Sequence, residues 1–268
     1  MKIAHCIPVY APAFQFGGPV LSVSRLCEGL AKDGHDVRVI TTNAGQSMLP
    51  EAQLGKPIIQ NGVEVIYFGV NKSEGIIRSR ALEKELPHLL SDVALLHLSS
   101  IWQPIGIPVQ REAWKRKIPV LQSLRGALGP YSRMQKWWKK FPYYLLQERP
   151  WLERAAALHV TTRQEERELY GLGLSAPRVI LPNPIDLNTL QLNSEARVKF
   201  RSEFGISLNI PLLLICGRQH HKKGLDLLPK ILSELRNYSW NLLLVGEDDD
   251  GSGKDLHQAL TKAGLEDR

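Results

Sequence analysis

Two short segments combine residue types that can hold a phosphate. The first, Phe16-Gly17-Gly18-Pro19, follows the apolar run Ile3–Val9 and precedes an amphipathic stretch. Glycine lets a backbone approach a ligand closely, and amides at a helix start attract anions. A tight strand-to-helix turn would use the same residues. The second, Cys216-Gly217-Arg218-Gln219-His220-His221-Lys222-Lys223-Gly224-Leu225-Asp226, follows another apolar run and opens a helical pattern. Arg218 and Lys223 would bring two cations to a strand end and a helix start, which suits a diphosphate. A basic, solvated loop is the alternative reading of that segment.

Other ligand chemistries find little support. There is no GxxxxGK[ST] loop, and no GxGxxG follows the first strand, which removes P-loop and ordinary dinucleotide chemistry. His220 and His221 are adjacent, so on a regular element their rings point apart, and no Cys or Glu stands at ligand spacing. Glu247-Asp248-Asp249-Asp250-Gly251 reads as a solvated turn built from turn-forming residues. The expectation is therefore no metal and no cofactor. Cys6, Cys27 and Cys216 lie far apart without a CxxC pair, which suits small buried residues in a reducing compartment. No apolar run approaches the roughly 18 residues of a membrane span. The opening Met1-Lys2-Ile3-Ala4-His5-Cys6-Ile7 reads as a core strand and not as a signal peptide.

Charge is unevenly placed. Residues 111–154 hold eleven Lys and Arg against three Glu, while the whole chain carries only +7. Within them, Arg133-Met134-Gln135-Lys136-Trp137-Trp138-Lys139-Lys140-Phe141-Pro142-Tyr143-Tyr144 interleaves cations with aromatic rings. Such a segment suits an anionic membrane surface, where rings settle at headgroup depth and Lys attracts acidic lipid. It would equally form a solvated helix with its aromatics packed inward. Nucleic acid, the third partner class for this pattern, ranks below both.

The elements that must position these groups alternate. Strands are expected at Ile3–Val9, Val37–Thr42, Val63–Phe68, Ala94–Leu98, Pro119–Ser123, Leu158–Thr162 and Arg178–Leu181, with helices between most of them. Val20, Val23, Leu26, Cys27, Leu30 and Ala31 form one helical stripe, and Gly34 stops it. Short apolar strands separated by helices imply an α/β domain with a mostly parallel sheet. Pro182-Asn183-Pro184 cannot continue a strand or helix, so it marks a crossing between domains at 1–184 and 185–268. Beyond it, Leu212–Ile215 and Leu242–Val245 read as strands, and Gly224–Leu235 and Leu256–Leu265 as helices. Two strands cover two helices poorly, so this second domain reads as the first part of a larger one.

In this order the segments resemble glycosyltransferase family 4, also called group 1, of the GT-B fold. Phe16-Gly17-Gly18 and then Ala31-Lys32-Asp33-Gly34-His35-Asp36-Val37-Arg38-Val39 look like the family's opening. Val179-Ile180-Leu181-Pro182-Asn183-Pro184-Ile185-Asp186 is similar to its domain crossing, with Pro184 replacing the usual Gly. Gly217-Arg218 with Lys223-Gly224-Leu225-Asp226 looks like its most specific motif, and Leu243-Leu244-Val245-Gly246 and Gly264-Leu265-Glu266-Asp267-Arg268 also fit.

The resemblance implies two Rossmann-like domains, an acceptor-side one and one that binds a nucleotide-diphosphate sugar. It implies transfer with retention and without metal, to a glycan or lipid-linked acceptor in cell-surface polysaccharide synthesis. Gly17 and Gly18 would offer amides to the donor phosphates, while Arg218 and Lys223 would hold the diphosphate as its glycosidic bond breaks. Asn183 would shape the cleft at the hinge. Where many members have His-Gly, this chain has Arg125-Gly126, so Arg125 replaces that histidine as the candidate catalytic or anion-contacting residue. The family's acidic motif, two Glu seven residues apart, is not present, so weak or absent transfer by this chain alone is expected. The competing reading is a non-catalytic membrane-surface or partner-binding module. The expected location is the cytoplasm, at the inner face of a membrane.

Overall fold

The computed structural model describes residues 1–45, 50–71, 75–187 and 191–268. The chain divides into two compact units, Met1–Leu187 and Asn188–Arg268. The first is built on β1 (Lys2–Val9), β2 (Asp36–Thr42), β3 (Pro57–Gln60), β4 (Val63–Phe68), β5 (Leu95–Leu98), β6 (Val120–Ser123), β7 (Ala157–Val160) and β8 (Arg178–Ile180). They form one sheet in the order β3-β4-β2-β1-β5-β6-β7-β8. All neighbours pair in parallel except β3 with β4. The strands read as nearly continuous apolar runs because helices cover both faces, leaving no solvent face to alternate toward. The order runs outward from β1 in both directions, so β1 and β5 flank the switch point where open α/β sheets make their ligand crevice.

The helices of this unit are α1 (Gly18–Lys32), α2 (Arg80–Leu89), α3 (Gly106–Lys115), α4 (Pro130–Met134), α5 (Trp137–Tyr143), α6 (Arg149–Leu152) and α7 (Arg163–Glu168). In α1, Val20, Val23 and Cys27 are buried along one stripe, as their spacing predicts, and Asp33-Gly34 ends the helix with Gly34 at φ +83°. Ser79 caps α2 by accepting from Leu82 N at 3.2 Å. Between α5 and α6 the chain makes one π-helical turn, Tyr144–Glu148, a distortion common at functional sites. The strand β3 was not expected from the sequence. It is the partner of β4 in a hairpin whose turn, Asn61-Gly62, has φ of 50° and 82°. Positive φ at both turn residues is what Asn-Gly supplies, and the pair is itself a hairpin signal.

The second unit contains α8 (Ser194–Glu203), β9 (Leu212–Cys216), α9 (Leu228–Glu234), β10 (Asn241–Val245) and α10 (Ser252–Lys262). The strands β9 and β10 pair in parallel, and Leu225, Leu232, Trp240, Leu256 and Leu260 form the core beside them. The helix expected at Gly224–Leu235 is shorter: Gly224 sits at φ +69°, Leu225–Leu227 form a 3-10 turn, and Pro229 starts α9. Proline belongs in that first turn, where its missing N–H costs nothing. The helix expected at Leu256–Leu265 begins earlier, at Ser252, and closes before Gly264 at φ +65°.

Leu96 of β5 is fully buried in the cluster that joins the sheet to α2 and α3. Leu96→Ala is expected to cost about 2–5 kcal/mol, against about 0.5 kcal/mol or less for Leu146→Ala, a residue 72% exposed. Urea unfolding measures both, and equal costs would contradict this placement of the core.

Candidate active site

The switch-point strand β1 delivers the chain into the glycine turn. Gly17 adopts φ 95°, ψ −166°, a backbone conformation closed to residues with a side chain. Its own N–H is taken by Phe14 O at 2.9 Å. Gly18 opens α1, and a Cβ there would meet no protein atom within 4 Å. Open space and a helix start thus coincide at the carboxyl end of β1, where an anion would gain most from the helix dipole.

Arg125 lies after β6 and ties three segments together. Its Nη1 donates to Ser22 Oγ of α1 at 2.7 Å and to Asn183 Oδ1 of the Pro-Asn-Pro crossing at 2.9 Å. The residue is held in the left-handed region, at φ +48°, which a non-glycine residue occupies only when its surroundings over-determine it. The buried Glu165 is one such constraint. One of its carboxylate oxygens accepts from Gly126 N, and the other accepts from Thr161 N at 2.6 Å and Thr161 Oγ1 at 2.8 Å. Burial pulls the Arg125 guanidinium below its ordinary value, and the nearby Glu165 charge opposes that shift. Arg125 Nε is buried and finds no partner among the described residues. Arg125 and Asn183, singled out separately in the sequence, are thus in direct contact.

Behind this clamp runs a row of three buried histidines that the sequence reading did not single out. His5 of β1 and His97 of β5 lie in register with ring centroids 4.4 Å apart. His97 Nε2 meets His159 Nδ1 at 3.0 Å, and His159 Nε2 meets Leu181 O at 2.9 Å. A carbonyl only accepts, so His159 donates from Nε2. Its Nδ1 must then accept in the neutral ring, and His97 therefore donates from Nε2. At the other end His5 Nε2 meets Ser99 Oγ at 3.0 Å, while its Nδ1 is buried with no partner among the described residues. Burial, and then the neighbouring ring, hold His97 down at about 3; burial is also the largest cause of the lowering at His5 and His159. The signal that could have exposed them is one polar residue inside each of three apolar strands, Ala4-His5-Cys6, Leu96-His97-Leu98 and Leu158-His159-Val160. A buried polar group in such a run must find partners or cost stability.

The second unit places Arg218 after β9, where Nη1 donates to Asp249 Oδ2 at 2.9 Å. Lys223 is exposed and ends the 3-10 turn His221–Lys223. His220 and His221 do not point apart as adjacent residues on a regular element would, because the turn stacks their rings at 4.1 Å. The Asp250 carboxylate approaches both, and the His221 and Ser252 hydrogen bonds hold it well below the usual carboxylate range. These three residues put one potential metal-ligating atom each within 4.8 Å. The acidic loop is otherwise a helix cap: Asp248 Oδ1 accepts from Gly251 N and Gly253 N, and its Oδ2 from Lys254 N.

A family model described as a glycosyl transferase 4-like domain matches residues 17–184, more than half of the 268 residues. The chain belongs to that family. A D-inositol 3-phosphate glycosyltransferase of Xylanimonas cellulosilytica is 23% identical over 294 aligned positions, spanning all of this chain and 68% of the relative. The crystal structure of Anabaena Alr3699/HepE in complex with UDP and glucose superposes with a TM-score of 0.71 at 18% identity, covering 100% of this chain and 68% of that one. A glycosyltransferase from Rickettsia africae gives 0.67 at 14% identity, covering 98% of this chain and 65% of its own. The chain therefore spans about two thirds of the length of these glycosyltransferases. The shared fold is the α/β, GT-B class expected from the motifs, and family membership makes the chain a transferase by descent.

His97 accounts for a pH dependence of stability. Its folded pKa lies below the unfolded value, so its contribution is fully present above about pH 6.5 and is lost as pH falls toward about 3. The slope it adds in that window approaches about 1.4 kcal/mol per pH unit. His97→Gln keeps an amide donor for His159 and should flatten urea midpoints measured between pH 6 and 4. An unchanged slope would mean that His97 is not buried as a neutral ring.

Proposed function

We propose that this chain serves in retaining transfer of a sugar from a nucleotide-diphosphate donor to a glycan or lipid-linked acceptor. The observation that carries the reading is the Gly17-Gly18 turn at the carboxyl end of the switch-point strand, within the matched family domain. Its open helix start offers an anion the Gly18 region of α1. Arg125 supplies the fixed cation on the same side of the sheet, and in the second unit Arg218 and Lys223 are the cations for the diphosphate. Developing negative charge on a departing diphosphate is what such groups stabilise, so the reaction needs neither metal nor cofactor. The relative crystallised with UDP and glucose supports a uridine nucleotide as the first donor to test. Calorimetric titration with UDP, GDP and their sugars is expected to give micromolar binding of one nucleotide. An Arg218→Ala/Lys223→Ala double variant should lose at least tenfold in affinity, about 1.4 kcal/mol. Equal affinity in the variant would remove the diphosphate from those cations.

The acceptor side of the proposal places residues 111–154 at the inner face of a membrane, as part of cell-surface polysaccharide assembly. Among the described residues no helix is long and apolar enough to cross a membrane, so contact would be peripheral. Trp137, Trp138 and Phe141 are exposed beside Lys136, Lys139 and Lys140, and do not pack inward. That arrangement favours surface adsorption over a solvated helix with inward aromatics. In sedimentation at physiological salt, vesicles containing anionic lipid should carry down more protein than neutral ones. Equal amounts in the two pellets would sink the membrane reading.

A further inference from the structure

A pocket of about 600 Å³ opens beside the π-helical turn between α5 and α6. Its walls are mainly apolar, from Trp102, Met134, Trp137, Phe141 and Leu145, and its polar side chains include the cations Arg133, Lys140 and Arg149. No acidic residue lines it. Arg133 Nε is buried and without a hydrogen-bond partner among the described residues. Leaving such a donor dry is costly unless an acceptor arrives. Trp102 at the pocket wall is fixed in the left-handed region at φ +66°. Its N–H donates to the buried Glu148 Oε1 at 2.8 Å, and its Nε1–H to Ala127 O at 2.7 Å, two residues from Arg125. A bulky residue in that backbone region signals a position held for use.

We infer that this pocket binds one hydrocarbon chain carrying a phosphate head, a lipid phosphate taken singly and not a patch of bilayer. The volume falls in the range that encloses one small ligand. Apolar walls take the chain, and the unpartnered Arg133 donor with the neighbouring cations complements the phosphate. The exposed rings of Trp137, Trp138 and Phe141 continue outward from the same helix, so the pocket mouth lies where a lipid would leave the membrane. This inference rests on the lipid-linked acceptor of the proposed function and specifies its subsite.

The test is calorimetric titration of the full chain with farnesyl monophosphate below its micelle-forming concentration, without nucleotide. The expected result is saturable binding at one lipid per chain, with farnesol roughly tenfold weaker and inorganic phosphate weaker still. Leu145→Glu, at a partly exposed wall position, and Arg133→Gln should each weaken farnesyl phosphate by roughly tenfold, with circular dichroism and unfolding midpoint unchanged. Equal affinity in both variants, equal affinity for farnesol, or uptake without a fixed stoichiometry would overturn the inference. Nucleotide titration of the same samples separates the two proposals: retained UDP binding with no lipid binding removes only the pocket, and the reverse result removes only the donor reading.

Discussion

The Arg125 guanidinium is the contact on which the geometry around the glycine turn depends. One Nη1 atom bridges the first turn of α1, through Ser22, and the crossing after β8, through Asn183. These segments are far apart in the chain and meet only because β6 carries Arg125 to the same sheet edge. The bridge has a backbone cost, since Arg125 sits at φ +48°. Glu165 offsets it by holding Gly126 and Thr161 with one carboxylate and by opposing the arginine's charge in a partly desolvated place. A lysine could not reproduce this arrangement, because it lacks the planar fork that leaves Nε aimed elsewhere while Nη1 is engaged.

The histidine row is the second consequence of building a site on a sheet covered on both faces. Each imidazole lies where apolar packing would otherwise be continuous, so each must be neutral and must find a partner for at least one nitrogen. The Leu181 carbonyl settles the direction of the hydrogen bonds from His97 through His159. It also links the sheet interior to the residue just before Pro182-Asn183-Pro184. The two ends of the clamp thus have a common support: Arg125 grips Asn183 from outside the sheet, and His159 grips Leu181 from within. The unpartnered Nδ1 of His5 is the one part of this row that packing among the described residues does not explain.

How much of this was legible in the sequence follows from what kind of signal each feature leaves. Parallel strands leave long apolar runs, so seven of the eight strands of the first unit could be placed from pattern. The short edge strand β3 leaves a weak run, and its better signal was the Asn61-Gly62 turn after it. Gly17, Gly18, Arg125 and Asn183 could be named because their motifs are local. That Arg125 touches Asn183 could not, since a contact across 58 positions depends on sheet order. His220 and His221 misled for the opposite reason: a rule for regular elements was applied to a 3-10 turn, and the Asp250 that joins them comes from a different loop.

The basic segment shows why composition alone leaves partner class open. Eleven cations in residues 111–154 are compatible with lipid, nucleic acid or plain solvation. The structure discriminates by where those cations sit. Glu112 engages Lys115 and Arg116 on α3, away from the aromatic stretch. Arg154 lies over the rings of Trp114 and Trp151, and Lys140 lies 5.0 Å over Trp102. Several charges are therefore spent on local structure, and the excess that remains concentrates around one apolar pocket. A nucleic-acid groove would instead spread its cations along a track and present aromatic faces for successive bases. Here apolar side chains enclose a volume and cations border it, which is the order of chemistry in an amphiphile and not in a polyanion.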